Sequence, residues 1–156
     1  MGLGLGGFID GILLHQILQW HHMLTGGNGG EPMNTVAGLE TNTLVDGFFH
    51  LTTWVLVGVA GYLTVRAWQR GDLVPPWSAH FGMLLTGWGV FNVVEGVIDH
   101  QLLGIHHVRD DLGGPIGWDL AFLAFGALLI VGGLALAKSG ERIARDHEAR
   151  QARRAS

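Results

Sequence analysis

The sequence has no cysteine and few charged residues. With no cysteine among 156 residues, disulfide bonds and thiolate metal sites are both excluded. Charged residues make up 14% of the chain, whereas roughly a quarter is usual in a soluble globular domain. The formal net charge is −4 and no basic patch lies on the apolar stretches, so we expect no nucleic-acid partner.

Long apolar runs take the place of the missing charge. A helix that crosses a membrane needs about 20 mostly apolar residues, and four stretches meet this requirement: residues 3–24, 43–68, 79–105 and 116–137. They predict an all-α, multi-pass integral membrane protein that lies in the lipid bilayer as a four-helix bundle over residues 1–138. A charged tail follows over residues 139–156, and Asn42 or Thr43 is the expected N-cap of the second span.

Lysine and arginine lie almost entirely on one side of these spans. Arg109 is the single cation on the other side. Since cations favour the cytoplasmic side, we expect both termini and the tail to be cytoplasmic. The cations that support this orientation lie between the second and third spans or after the fourth: Arg66, Arg70, Lys138, Arg142, Arg145, Arg150, Arg153 and Arg154.

Two segments of the chain resemble each other without a gap. Residues 10–22 read DGILLHQILQWHH and residues 95–107 read EGVIDHQLLGIHH, an offset of 85. Because the segments lie on the first and third spans, which cross in the same direction, they predict two parallel-repeated helical hairpins. We expect Gly11 and Gly96 to let neighbouring helices approach closely.

Histidines and carboxylates converge in the outer half of the predicted bundle. At about 100° per residue, His15 and His22 share a helix face, as do their counterparts in the other segment. Ionisable side chains inside a span cost about 2.5–3.5 kcal/mol each, which favours a metal site over a purely structural polar network. The predicted residues that ligate or tune the metal are His15, His22, His50, His100, His107, Asp46, Asp99 and Asp119.

Four further residues are expected to orient ligands or handle protons: Asp10, Glu95, His21 and His106. In a regular helix, Asp10 lies five residues, or about 7.5 Å, deeper than His15. We therefore expect Asp10 and Glu95 to be too deep to share one ion with His15 and its counterpart. They would hold a second ion, orient a histidine or carry protons. The roles of His21 and His106 as ligands, orienting groups or bystanders stay open.

Imidazole and carboxylate ligands without thiolate suit copper, iron or zinc ions, and so many ligands fit a binuclear centre. The functions that follow are redox or oxygen chemistry, or the handling of a metal. A metal or proton transporter, a bis-histidine haem protein and a structural membrane subunit are the alternatives. Haem is less favoured because it leaves the other histidines and carboxylates unexplained. The residues do not decide between catalysis, transport and storage.

The strings GFIDGILLHQILQWHHM, LVDGFFHLTTW and FNVVEGVIDHQLLGIHHVRDD resemble the domain of unknown function 2243 family of small bacterial four-span membrane proteins. The resemblance covers the first three spans closely and most of the chain. It implies a bacterial cytoplasmic (inner) membrane protein, here with its site facing outward, and an association with cytochrome oxidase and copper assembly. A homo-oligomer or an oxidase-assembly partner is left open.

Overall fold

Four helices and two π-helical extensions form the molecule. The computed structural model describes residues 1–26, 30–72 and 75–155. The helices are α1 (Gly2–Asp10), α2 (Val36–Gln69), α3 (Trp77–Glu95) and α4 (Ile116–Ala155). A short 3₁₀ turn over Asp110–Leu112 precedes α4. No strand occurs in the described residues, so the predicted all-α class is confirmed.

The π-helical segments π1 (Gly11–Ile17) and π2 (Gly96–Leu103) continue α1 and α3 without a break. They begin at the two glycines that the sequence comparison aligned. A π-helix bonds residue i to residue i+5, so residues five apart come to lie near one face. The predicted spacing at about 100° per residue therefore does not apply to this part of the chain.

The helices form a row in which α1 and α3 are central. α2 packs on α1, and α4 packs on the far side of α3, whereas no packing of α4 on α1 or α2 occurs in the described part of the chain. Gly2 faces Gly87 and Gly7 faces Phe91, so α1 and α3 run parallel. The central pair thus has the relative direction that the predicted repeat requires.

Glycines allow α3 and α4 to approach closely. A Cβ atom on Gly82 would lie 2.5 Å from the carbonyl oxygen of Gly133, and one on Gly89 would lie 2.8 Å from the backbone nitrogen of Ile130. Side chains at these positions would collide with the backbone, as in the small-residue interfaces of membrane helices. Because low numbers on α3 face high numbers on α4, the two helices are antiparallel.

Three helices are long and apolar enough to cross a membrane. They are Val36–Gln69, Trp77–Leu103 and Ile116–Arg153, with 34, 27 and 38 residues, and each exceeds the roughly 20 residues required. The apolar helix Gly2–Ile17 is shorter. It ends before residue 24, the predicted end of the first span, since Gln19 adopts a left-handed backbone conformation with φ 52°.

The other helix ends also differ from the prediction. α2 begins at Val36 because Thr35 is its N-cap, with Oγ1 accepting from Gly38 N at 3.1 Å, so the predicted cap at Asn42 or Thr43 is wrong. Asn42 is buried inside α2 instead, where its Oδ1 accepts from Leu24 N. α4 begins at residue 116 as predicted and stays helical through the tail. In the predicted tail, the side chain of Arg154, one of the tail cations, and residue Ser156 lie outside the described part of the chain.

The interior is polar and the outside is apolar. Large hydrophobic side chains are exposed along every helix, and the buried hydrophobic residues are only Ala79, Val108 and Ala137 within the described ranges. This distribution suits a lipid environment, where ionisable groups face the protein interior. The buried polar side chains are Asp10, His15, His21, His22, Asn42, Asp46, Thr53, Asn92, Glu95, His100, His106 and Asp119.

Candidate metal centre

Four buried histidines face one another where the π-helical segments lead into the following loops. His15 and His21 come from the first segment, and His100 and His106 come from the second. Their exposed fractions are 0–2%. The ring centroids of His15 and His21 are 4.6 Å apart, those of His100 and His106 are 4.8 Å apart, and His21 stacks on His106 at 4.7 Å. The two similar segments therefore meet at the His21–His106 pair.

Backbone carbonyls hold the two stacked rings. His21 Nδ1 lies 3.0 Å from the carbonyl oxygen of Val108, and His106 Nδ1 lies 3.3 Å from that of Met23. These contacts are reciprocal, because His106 and Val108 are the counterparts of His21 and Met23 at the offset of 85. A carbonyl oxygen only accepts, so each Nδ1 carries the ring proton. These carbonyls could not be predicted from the sequence, since a side-chain pattern does not reveal a main-chain partner.

Asp46 of α2 holds the third ring. Its Oδ1 lies 3.0 Å from His15 Nδ1 and accepts from Met23 N at 3.0 Å. Its Oδ2 lies 2.6 Å from His22 Nδ1. The carboxylate only accepts when ionised, so His15 also has its proton on Nδ1.

Asp119 of α4 repeats this arrangement on the other side. Its Oδ1 accepts from Val108 N at 3.0 Å and lies 3.6 Å from His100 Nδ1, which is longer than a hydrogen bond. Its Oδ2 lies 2.7 Å from His107 Nδ1. A carboxylate behind a histidine is the arrangement that fixes ring orientation in many metal sites.

The inner nitrogens of the four rings have no hydrogen-bond partner. The Nε2 atoms of His15, His21, His100 and His106 are all buried and unpaired. Where Nδ1 faces an acceptor, as in His15, His21 and His106, a neutral ring presents its Nε2 lone pair toward the centre. Burial lowers the pKa of His106 well below its usual value, so this ring is neutral and able to bind a metal. Leaving buried polar atoms unpaired costs about 1–3 kcal/mol each, and a bound cation would remove this cost.

Two carboxylates join the four rings. Asp10 Oδ2 lies 3.1 Å from His15 Nε2, and Glu95 Oε1 lies 3.6 Å from His106 Nε2. Asp10 Oδ2 and both oxygens of Glu95 lack hydrogen bonds. The expectation that Asp10 is too deep to share an ion with His15 is therefore wrong. It assumed a regular helix, whereas π1 brings residues five apart to one face.

Three overlapping sets of these residues are spaced to hold a metal ion. In each set the ligand atoms lie within 4.8 Å of one another. With metal–ligand bonds of about 2.1 Å, neighbouring ligand atoms are about 3.0–3.4 Å apart, so the Asp10–His15 pair is already at this distance. The sets are His15, His21 and His106; Glu95, His100 and His106; and Asp10, His15 and Glu95.

The remaining predicted ligands lie outside these sets. His22 and His107 are on the far side of the carboxylates that orient the buried rings. His50 packs against Gly11, whose Cβ would lie 2.5 Å from His50 Nε2, and Asp99 is only half-buried. The geometry thus brings together the residues that sequence analysis expected to orient ligands or handle protons, along with two of the five histidines it expected as ligands.

An arginine and two tryptophans lie at the outer end of the site. The guanidinium carbon of Arg109 is 4.3 Å from the ring centre of Trp20 and 5.1 Å from that of Trp118. Arg109 also donates two hydrogen bonds of 2.8 Å to the carboxylate of Asp111, which lowers the pKa of Asp111. This cluster joins the loop before α4 to the loop after π1.

Comparison with known protein families matches residues 1–140 to a family described as "Predicted membrane protein (DUF2243)". No curated protein and no solved structure matches the chain. The family description gives no activity, so the function has to be argued from the geometry of the site.

Proposed function

The chain belongs to the DUF2243 family of predicted membrane proteins, and we propose that it is an integral membrane metalloprotein with a transition-metal centre. The ligands are His15, His21, His100, His106, Asp10 and Glu95. The observation that carries the proposal is the convergence of four buried Nε2 atoms that make no hydrogen bond, three of which belong to rings with an acceptor at Nδ1.

A proton network is the alternative account of these contacts. An imidazolium at His15 would pair with Asp10 and Asp46, which lie 3.1 and 3.0 Å from its two nitrogens. The same account does not extend to His21, because its inner nitrogen faces other imidazoles and its outer nitrogen faces a carbonyl. For His106, the Glu95 carboxylate lies 3.6 Å from the inner nitrogen, which is longer than a hydrogen bond. Metal ions bound at the centre would pair these lone pairs.

The centre is proposed to hold two ions. No set of close ligand atoms includes more than three of the six residues in the described part, so one ion leaves several ligands unpaired. Glu95 belongs both to the set with Asp10 and His15 and to the set with His100 and His106. Its carboxylate is therefore placed to bridge one ion on each side. Nitrogen and oxygen ligands without sulfur suit iron, zinc or copper(II).

Redox or oxygen chemistry fits this centre better than the delivery of a metal such as copper to an oxidase. Delivery needs ions that exchange, and the four imidazoles are at most 2% exposed. Transport needs a polar path, and residues 2–9 and 120–137 contain no polar side chain. A haem needs room between two axial rings, and the stacked pair of His21 and His106 occupies the space between His15 and His100.

The membrane arrangement is part of the proposal. The chain would have both termini in the cytoplasm and its metal centre toward the outer face of the bacterial inner membrane. The one-sided distribution of cations supports this orientation. The parallel direction of α1 and α3, and the matching contacts of Asp46 and Asp119, support two repeated hairpins.

Metal analysis tests the proposal directly. The full chain is produced in cells supplied separately with iron, copper and zinc, purified in detergent, and analysed by mass spectrometry and absorption spectroscopy. We expect about two ions of one metal per chain. The double variant His21→Asn with His106→Asn should lose them. The matched control, His80→Asn with His147→Asn, changes two histidines outside the centre and should keep them.

Two results would contradict the proposal. A chain without stoichiometric metal under every supply would show that the polar centre is structural. A double variant that keeps its metal would place the ions elsewhere. A haem absorption band that disappears with His15→Asn would instead favour the haem alternative.

A further inference from the structure

An apolar cavity reaches the proposed metal centre from the side of the molecule. It measures about 240 Å³ and lies between α1 and α4, where Trp88 and Asn92 of α3 form part of its lining. It exists because α4 packs on α3 but not on α1. Its walls include the aromatic rings of Trp20, Trp88, Trp118 and Phe125.

Two buried polar residues line the inner end of the cavity. They are Asn92 and Asp10, which are 2% and 4% exposed. Asn92 Oδ1 is buried and makes no hydrogen bond, whereas Asp10 Oδ2 lies 3.1 Å from His15 Nε2. Asn92 Oδ1 is therefore an acceptor without a donor beside a largely apolar space.

The outer side of the cavity faces the surroundings of the helices. Ile9, Leu13 and Phe125 line it and are 39%, 42% and 44% exposed. These residues belong to the apolar surface that suits contact with lipid. A ligand can therefore enter sideways from the bilayer, without passing the cluster of Trp20, Arg109 and Trp118.

From these features we propose that the cavity binds a membrane-soluble molecule with one planar aromatic ring that carries a hydroxyl group. The ring would lie among the tryptophan and phenylalanine side chains, which favour stacked or edge-on aromatic contacts. The hydroxyl would donate to Asn92 Oδ1 beside the Asp10 carboxylate. The volume fits a single substituted ring.

A lipid acyl chain is a poorer occupant. It fills apolar space equally well, yet it has no donor for the unpaired oxygen of Asn92 at the inner end. A hydroxyl group supplies that donor, and the aromatic walls add ring contacts that an acyl chain does not make. Discrimination between ligands that differ only in the hydroxyl therefore identifies the occupant.

The ligand site goes beyond the proposed metal function and does not depend on it. Asn92 is not among the six proposed metal ligands, and its Oδ1 makes no hydrogen bond within the described part of the chain. If both proposals hold, the hydroxyl group lies next to Asp10, a proposed ligand of one ion. A phenol-class substrate would then be presented to the metal centre from the bilayer.

The test compares two probes in lipid nanodiscs. They are tetramethylphenol with a free position opposite the hydroxyl (durenol) and the hydrocarbon without the hydroxyl (durene). Dissociation constants, expressed per mole of lipid, come from the rise in unfolding temperature with ligand. We expect durenol to bind about tenfold more tightly, as one hydrogen bond to an unpaired buried acceptor provides.

Variants of two cavity residues make the test specific. Asn92→Leu should remove the preference for durenol while durene still binds. Ala121→Trp should fill the cavity, which Ala121 lines, and should weaken the binding of both probes at least tenfold. The matched control Ala124→Trp, on the same helix but outside the cavity lining, should leave both dissociation constants unchanged.

Equal binding of the two probes to the unmodified chain would overturn the proposal in favour of a lipid-filled groove. Undiminished binding by Ala121→Trp would overturn it as well, because the probes would then bind elsewhere. Metal content is measured on the same samples. A metal-free chain that still prefers durenol would refute the metal function and leave the ligand site standing.

Discussion

Replacing Asp46 by asparagine tests whether this carboxylate fixes the imidazole of His15. Asp46 is 1% exposed and accepts from two rings, one backbone nitrogen and one side-chain amide. The distances are 3.0 Å to His15, 2.6 Å to His22, 3.0 Å to Met23 N and 3.4 Å to Gln16 Nε2. An asparagine side chain has one acceptor oxygen, and its amide nitrogen donates. One of the two rings must then face a donor or change its tautomer.

The size of the effect follows from these contacts. Losing one charge-assisted hydrogen bond at a buried site costs about 1.5–3 kcal/mol of unfolding free energy. Losing the group that orients a histidine ligand typically weakens metal binding 10–100-fold, which corresponds to about 1.4–2.8 kcal/mol. We therefore expect Asp46→Asn to fold less stably and to bind metal at least about tenfold more weakly.

The assay is a chelator competition for metal affinity, combined with thermal unfolding of the metal-free chain. Asp111→Asn is the matched control, since it removes one outer carboxylate whose partner is Arg109 and touches no histidine. Such a partly exposed ion pair contributes at most about 1 kcal/mol, and metal affinity should not change. An Asp46→Asn chain with unchanged metal affinity would refute the idea that Asp46 sets the tautomer of His15.

Three further changes have expected outcomes. Asp119→Asn should weaken metal binding less than Asp46→Asn in the same competition, because its contact to the buried ring is 3.6 Å rather than 3.0 Å. Gly11→Ala should destabilise the chain by about 1–3 kcal/mol in detergent unfolding, since the methyl group meets a histidine at 2.5 Å; Gly47→Ala, with open space around it, should be neutral or stabilising. Gly133→Ala should separate α3 from α4 and lower the unfolding temperature, whereas Gly132→Ala on the outer face should not.

The positions of the helices could be predicted because hydrophobic length decides them. The start of α4 at Ile116 was predicted correctly, since Gly and Pro residues precede a long apolar run. The start of α2 was missed because the residues from Val36 onward are too polar to resemble a membrane span, although they are helical. Thr35 is an ordinary N-cap residue. It was not predicted as the cap because the helix was expected to begin where the apolar run begins.

The choice among the histidines could not be predicted from helical periodicity. A regular helix places His22 on the face of His15, whereas the chain leaves the helix after Ile17 and turns at Gln19 with φ 52°. The turn brings His21 inward and leaves His22 beside Asp46. A non-glycine residue with positive φ is uncommon, and nothing in the residue pattern indicates it.

Identical residues in the two segments did identify the part of the chain in which the histidines are buried together. The repeat at an offset of 85 includes all four buried histidines, and their contacts match from one segment to the other. His50 had no counterpart in the alignment, since Leu123 stands at the corresponding position, and it lies outside the ligand sets. A residue present in both copies was therefore the better guide to the centre than a residue at ligand-like spacing.

The places where the two halves differ bear most directly on what the centre does. Asp10 and Glu95 correspond in sequence, yet Glu95 is longer by one methylene and takes part in two ligand sets, whereas Asp10 takes part in one. Asp10 also lines the apolar cavity, and Glu95 does not. In the proposed centre the two positions would therefore differ. The position beside Asp10 would be open to a small molecule from the side, and the position beside Glu95 would be enclosed by His100 and His106. We therefore expect a chelator to remove the two ions in separate steps, with the ion beside Asp10 leaving first.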